Sequence, residues 1–293
     1  MTREALSYQG VYINLERSTA RRARMEAQLA QLKLTDLYVR FPAVDGAKLP
    51  LPGSKIGPGE TGAFLSHMRV LEEARQRGLP LHVLEDDALL CAPVRPVIGD
   101  VIASGLLDRF DIVFTDTLLM PHLGMLKGLK AEFDRVMRPQ TRPLCFADLK
   151  AIDLKRENFS CLTSYVVGAG AMDRILALYR AELARGPLKP VDLFLRDCVA
   201  DGRLRAGLLF PFVTSFRLDE VAPSTVAAGT QNAKPSVMVL AVLRYLFFVE
   251  RDLVYAKSCL DAVTQQNRRK SDPHHDLMVQ ALEFVLSADF QPF

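Results

Sequence analysis

The chain has 293 residues, 49% of them apolar and 24% charged, with a formal net charge of +3. That length can bury a substantial core, and so small a charge gives no electrostatic ground for a nucleic-acid partner, although it tolerates contact with an anionic membrane surface. The five cysteines, Cys91, Cys145, Cys161, Cys198 and Cys259, are odd in number and never spaced Cys-x-x-Cys. Neither a disulfide framework nor a zinc site is therefore expected, and a reducing compartment fits best.

Met1 to Gly10 lacks the apolar stretch of a signal peptide, so secretion is not expected. Val11 to Leu15 reads as a strand, followed by Ser18 as a helix cap and a basic helix with Arg21, Arg22 and Arg24 on it and Met25, Leu29 and Leu32 at core spacing. Leu37 to Phe41 is a second strand, and Val44-Asp45-Gly46 after it reads as a turn. Gly59 to His67 opens a second amphipathic helix, with Phe64, Met68 and Leu71 along its buried stripe. Further strands are expected at Leu81 to Leu84, Ile112 to Thr115, Tyr165 to Val167 and Leu208 to Val213. Short apolar runs alternating with helical patterns predict βα units and a mainly parallel sheet.

A run of small residues punctuated by Pro223, Gly229 and Pro235 suggests a boundary, giving a domain over 1–222 and a helical extension over 223–293. The apolar run Val237 to Val249 is interrupted by Arg244 and is too short to span a bilayer, so it is expected as a buried helix. Arg268, Arg269 and Lys270 followed by Pro273 suggest helix, loop, helix beyond it, as a cap, a dimer contact or a membrane-facing element.

Glu85-Asp86-Asp87 directly follows the third strand, where α/β sheets carry their chemistry. Adjacent carboxylates repel one another, and a divalent cation held by oxygen ligands is the usual offset. A solvated acidic turn is the other reading, and spacing alone leaves both open.

Taken in order, Val11-Tyr12-Ile13-Asn14-Leu15, the Arg21 to Arg24 stretch, Phe41-Pro42-Ala43-Val44-Asp45-Gly46, Gly59 to His67 and the acidic triplet resemble glycosyltransferase family 25. Those enzymes build lipooligosaccharide and lipopolysaccharide outer cores and are similar to the collagen galactosyltransferases. The resemblance is continuous from about Val11 to Ala92. It thins through Phe110 to Val113, Ser164 to Val167 and Pro190 to Leu195, and is absent beyond roughly Pro223.

The resemblance implies a GT-A-like, Rossmann-type α/β fold with a mainly parallel sheet, to which the residue pattern beyond Pro223 adds the C-terminal helical extension. It implies a metal-dependent, inverting transfer of a hexose, galactose from UDP-galactose first and glucose as the alternative, onto a lipooligosaccharide-type glycan. Mn2+ or Mg2+ would be the cofactor, with Asp87 as direct ligand. Asp86 would join it or contact the ribose or donor sugar, and Glu85 would shape the turn. Asn14, Leu15 and Arg17 fall where such folds bind the nucleoside, Asp45 and Gly46 near the uracil, and Ser66 and His67 match the family's Ser-His pair.

Asp192 matches the family's acceptor-side aspartate, a general base, while its position before a helix equally suits an N-cap. A cytoplasmic enzyme with a glycan or glycolipid acceptor, peripheral at the inner membrane and open to homodimerisation, completes the expectation. A nucleotide-sugar-binding scaffold without turnover is the alternative outside catalysis. The basic residues between Met120 and Asn158 suit either an acidic acceptor or a solvated face. With no tryptophan in the chain, Tyr165, Phe146 or Phe212 would have to offer a sugar its stacking surface. His274 and His275 lie outside the resembling region and are left out of the site.

Overall fold

The computed structural model describes residues 8–49, 51–120, 122–138, 142–220, 235–267 and 282. Chain order begins with β1 (Gln9–Asn14), all of it buried, as an apolar run covered on both faces should be. Helix α1 (Thr19–Gln31) follows, and Met25 and Leu29, each 2% exposed, anchor it at about 2 kcal/mol apiece. The edge strand β2 is Tyr38–Pro42. Helix α2 (Pro58–Arg75) starts with proline in its first turn, and the Glu60 carboxylate accepts from the Gly57 N–H at 2.7 Å, satisfying a donor the helix leaves free.

Then come β3 (Leu81–Glu85), β4 (Ala88–Leu90), α3 (Val94–Ala103), α4 (Leu106–Arg109), β5 (Ile112–Leu119) and α5 (Leu123–Val136). After these lie β6 (Lys150–Asp153), β7 (Phe159–Val167), α6 (Met172–Arg185), α7 (Val191–Ala200), β8 (Ala206–Phe210), β9 (Thr214–Phe216), α8 (Pro235–Tyr245) and α9 (Leu253–Asn267).

Among the described residues a seven-stranded sheet has the order β2-β1-β3-β7-β5-β8-β6, and β4 pairs separately with β9. Strands β1, β2 and β3 are parallel, as are β5 and β8, whereas β7 opposes both β3 and β5, and β6 opposes β8. Thus β7 and β6 run against the other strands, and the architecture is α/β with a mostly parallel sheet, compatible with a Rossmann-like fold.

Side-chain alternation sorts the core into two layers. Val11, Ile13, Leu81, Val83, Phe114 and Tyr165 face α2, α6 and α7, while Tyr12, Leu84, Val113 and Val166 face α1, α3 and α8. The expected stripes Phe64, Met68, Leu71 and Met25, Leu29 are buried in these two layers.

All six expected strands are present. The last, expected to reach Val213, ends at Phe210 because Pro211 has no N–H with which to continue the ladder. The boundary at 222/223 and residues Arg268 to His275 lie outside the described residues. Within the described part, Val239, Val242 and Leu246 of the apolar run pack into the α1 and α3 layer, as a buried helix should. No helix among the described residues is long and apolar enough to cross a membrane.

The chain leaves β1 for β2 on one side and then crosses to β3 on the other. The crevice at the carboxyl ends of β1 and β3 is therefore a topological switch point, where open α/β sheets bind ligands.

Candidate active site

Strand alternation decides where each acid of the triplet goes. Glu85 continues the Leu81 and Val83 face and so meets α2, where His67 Nε2 lies 3.3 Å from its Oε1. The other ring nitrogen of His67 lies 2.8 Å from the Tyr165 hydroxyl, and the imidazole is 1% exposed. Burial raises the Glu85 carboxyl, but the His67 hydrogen bond and the charges of His67, Arg244 and Arg21 outweigh it and hold the group below its ordinary value.

Asp86 turns toward α1. It accepts from Asn14 Nδ2 at 2.7 Å and from Arg21 NH1 at 3.2 Å. Asn14 ends β1, just past the pairing of Ile13 with Glu85, and its Oδ1 accepts from Arg40 Nε at 3.0 Å. Arg21 is also paired with Glu220 at 2.8 Å, and Arg24 joins the same carboxylate. Of the two aspartates expected to share an ion, Asp86 is thus committed to this network and does not line the neighbouring cavity.

Asp87 does reach it. With Glu85 it lines a cavity of about 300 Å3, and its Oδ1 is buried without a hydrogen-bond partner among the described residues. Burial, reinforced by the negative charges of Glu85 and Asp86 and opposed by Arg21 and Arg244, pushes this carboxyl up to about 7. A carboxylate oxygen left this way is costly unless something else binds it.

Asp192 lines the same cavity. The residue at the cap position of α7 is Pro190, so Asp192 sits inside the first turn and the N-cap expectation is corrected. Its Oδ2 accepts from the Cys161 N–H and its Oδ1 from the Leu193 N–H, each at 2.9 Å. Cys161 has φ +73° where the β5–β7 register shifts, a left-handed backbone that a side chain disfavours. The bulge therefore aims a backbone donor into the cavity wall, and strain of this kind collects at functional sites.

The remaining expected donor residues surround this crevice without lining the cavity. Leu15 is half-buried in the turn after β1, and exposed Arg17 is ion-paired with Asp45, whose Oδ1 also accepts from the Ala47 N–H at 3.3 Å. Gly46 makes its close backbone approach to α2: a Cβ there would stand 2.0 Å from the Pro58 carbonyl oxygen and 2.5 Å from the Gly62 nitrogen. Ser66 accepts from the Val44 N–H at 2.8 Å and donates to the Gly62 carbonyl at 2.6 Å, tying that turn to the helix.

Sequence reasoning missed Arg244, Glu220, Cys161 and Phe216, all of which line the cavity. Arg244 carried a signal, as the one charge inside the apolar run Val237 to Val249. Among the described residues the aromatic side chain lining the cavity is Phe216, not one of those expected to face a sugar. Tyr165 and Phe212 are fully buried in the core, and Phe146 packs into the second layer beside α3.

Among the described residues no group of three or more His, Cys, Asp or Glu could hold a metal alone. The chain matches no known protein-family model, and no curated protein matches it.

Proposed function

We propose that this chain is a metal-dependent, inverting glycosyltransferase of GT-A type, similar to family 25, that moves a hexose from a UDP-sugar onto a glycan of the lipooligosaccharide class. Galactose from UDP-galactose is the first donor to test and glucose the next. One observation carries the reading: Glu85 and Asp87 from the end of β3 and Asp192 from α7 line one cavity beside the switch point, and one buried oxygen of Asp87 has no partner among the described residues.

The residues fit a divalent ion shared with a ligand rather than a closed all-protein site. Magnesium and manganese sites commonly use one or two carboxylates and take their other ligands from phosphates and water. Asp87 would hold Mn2+ or Mg2+, which when bound would supply positive charge against a departing diphosphate.

The chain's own residues do the rest. Asn14 and Arg21 fix Asp86 behind the cavity wall, so a contact from it to ribose or donor-sugar hydroxyls would have to be shared with those two donors. Asp192, held by two backbone donors, keeps its remaining lone pairs for the proton of an acceptor hydroxyl as that oxygen attacks the anomeric carbon and the bond to phosphate breaks. Phe216 offers the cavity an aromatic surface for a sugar ring.

The basic residues of 127–156 do not line the cavity, which favours the solvated-face reading over an acidic acceptor. A glycolipid acceptor would bring the enzyme to the inner face of the cytoplasmic membrane.

Thermal shift with UDP in the presence and absence of Mn2+, followed by turnover of a UDP-sugar panel, tests the proposal. Metal-dependent stabilisation with slow donor hydrolysis is expected. Stabilisation without turnover on any acceptor would instead favour a binding module, and no response to UDP would end the reading.

A further inference from the structure

Arg244 stands in α8, surrounded in sequence by Val, Leu, Ala, Tyr and Phe, and is 6% exposed. A buried guanidinium is expensive to desolvate, and an apolar residue of similar volume would commonly serve a core as well or better. Its orientation is fixed from three directions. Asp116 takes a two-pronged contact, with Nε donating at 2.6 Å and NH2 completing the fork. NH2 also donates to the Thr163 hydroxyl at 2.7 Å, and the guanidinium lies 4.3 Å from the centroid of the Phe216 ring. NH1 has no hydrogen-bond partner among the described residues. Burial works against the charge and Asp116 more than offsets it, so the group stays protonated.

The same guanidinium lines the cavity, and it is the one Lys, Arg or His among the described lining residues. Glu60, Glu85, Asp87, Asp192 and Glu220 supply carboxylates around it. An anionic group entering this space has a single cationic side chain to go to among the described residues. The other arginines near the triplet, Arg21 and Arg24, are engaged with Asp86 and Glu220.

We infer that Arg244 is the anion-holding residue of this cavity, and that its NH1 donates to a phosphate oxygen of the nucleoside diphosphate. The inference rests on the transferase reading and adds a residue from the C-terminal helix to it. Preorganisation is the physical point: a guanidinium already locked by Asp116, Thr163 and Phe216 loses little conformational freedom when it binds phosphate.

Calorimetric titration with UDP and with uridine, each in EDTA and in Mn2+, tests the assignment. Removing Arg244 alone would strand Asp116, so the informative variant is the double D116N/R244M, which deletes both charges together. UDP affinity in EDTA should fall roughly ten- to a hundredfold, while uridine affinity stays within about twofold. Arg244→Lys keeps the charge but loses the fork, and it should recover part of the UDP affinity relative to the double variant. A merely structural Arg244 would lower UDP and uridine binding together, and an unchanged UDP-to-uridine ratio overturns the assignment. Should the double variant fail to fold, an Arg244→Lys protein with wild-type UDP affinity does the same. A wild-type protein that binds neither UDP nor uridine overturns the transferase reading as well, whereas one that binds both equally overturns only the role of Arg244.

Discussion

The backbone N–H of Cys161 donates to Oδ2 of Asp192 at 2.9 Å, joining a left-handed residue of β7 to the first turn of α7. This contact makes the rotamer of Asp192 a property of the sheet as well as of its own helix, whose Leu193 N–H holds the other oxygen. Asp192→Asn keeps the shape, removes the basic oxygen and sets an NH2 against a backbone donor. Transfer should fall about 10²- to 10⁴-fold, the range for loss of a positioned base, with UDP affinity within about threefold of wild type. Steady-state kinetics paired with UDP titration distinguish the outcomes. An unchanged rate with a lowered melting temperature would leave Asp192 as a structural residue only.

Asp87 should behave oppositely in the fold and in the reaction. Its Oδ1 is buried beside Glu85 without a partner among the described residues, so the carboxylate costs the ligand-free protein stability. Asp87→Asn is expected to melt at or above the wild-type temperature without metal, to lose the Mn2+-dependent stabilisation by UDP and to lose more than about 100-fold in turnover. Differential scanning fluorimetry across Mn2+ and UDP concentrations reads the first two. A variant that keeps full metal-dependent stabilisation would remove Asp87 from the ion.

Strands buried on both faces were legible in the sequence because short continuous apolar runs bounded by turn residues are what such strands require. Three strands were not. The exposed edge β6 (Lys150–Asp153) carries Lys and Asp at its ends, and β4 and β9 are each a three-residue segment that pairs only with the other. Nor could periodicity reveal that β7 enters the sheet antiparallel between β3 and β5, since strand direction depends on contacts distant in sequence. At the site, the acidic triplet was legible from its place at a strand end. Its division into Asp86 toward α1 and Glu85 with Asp87 toward the cavity follows from alternation, a step the family pattern does not supply. Arg244 was visible only as a flaw in an apolar run, because its partners Asp116 and Thr163 lie 128 and 81 residues away.

Gly46 gives a test that separates packing from ligand contact. A methyl there would overlap the Pro58 carbonyl and the Gly62 backbone, neither of which is a flexible side-chain end. Gly46→Ala should therefore destabilise by more than about 3 kcal/mol in denaturant unfolding. Gly128, inside α5 with nothing within 4 Å of an added Cβ, is the control, and Gly128→Ala should stabilise by about 0.5–1 kcal/mol. Gly46→Ala with wild-type stability and weakened UDP binding would point to a nucleotide contact at that position.

Burial of His82 should contribute to the acid sensitivity of the fold. Its Nδ1 lies 2.6 Å from the Tyr38 hydroxyl and its Nε2 2.9 Å from the Ser164 hydroxyl, which continues through Thr115 to Thr214 at 2.6 and 2.8 Å. No acid belongs to that chain of hydroxyls, and burial pushes the imidazole down from 6.5 to about 3. The native state therefore refuses a proton that the unfolded chain accepts. Above pH 6.5 both states hold His82 neutral and it adds no pH dependence. From pH 6.5 down to about 3 the unfolded state binds the extra proton, so stability falls by about 1.4 kcal/mol per pH unit from this group. His82→Gln lowers stability at pH 8 by disturbing the network, yet it should flatten the acid slope. Denaturant unfolding at several pH values between 4 and 8 gives the difference directly. Parallel curves for the two proteins would show that His82 does not carry the acid sensitivity.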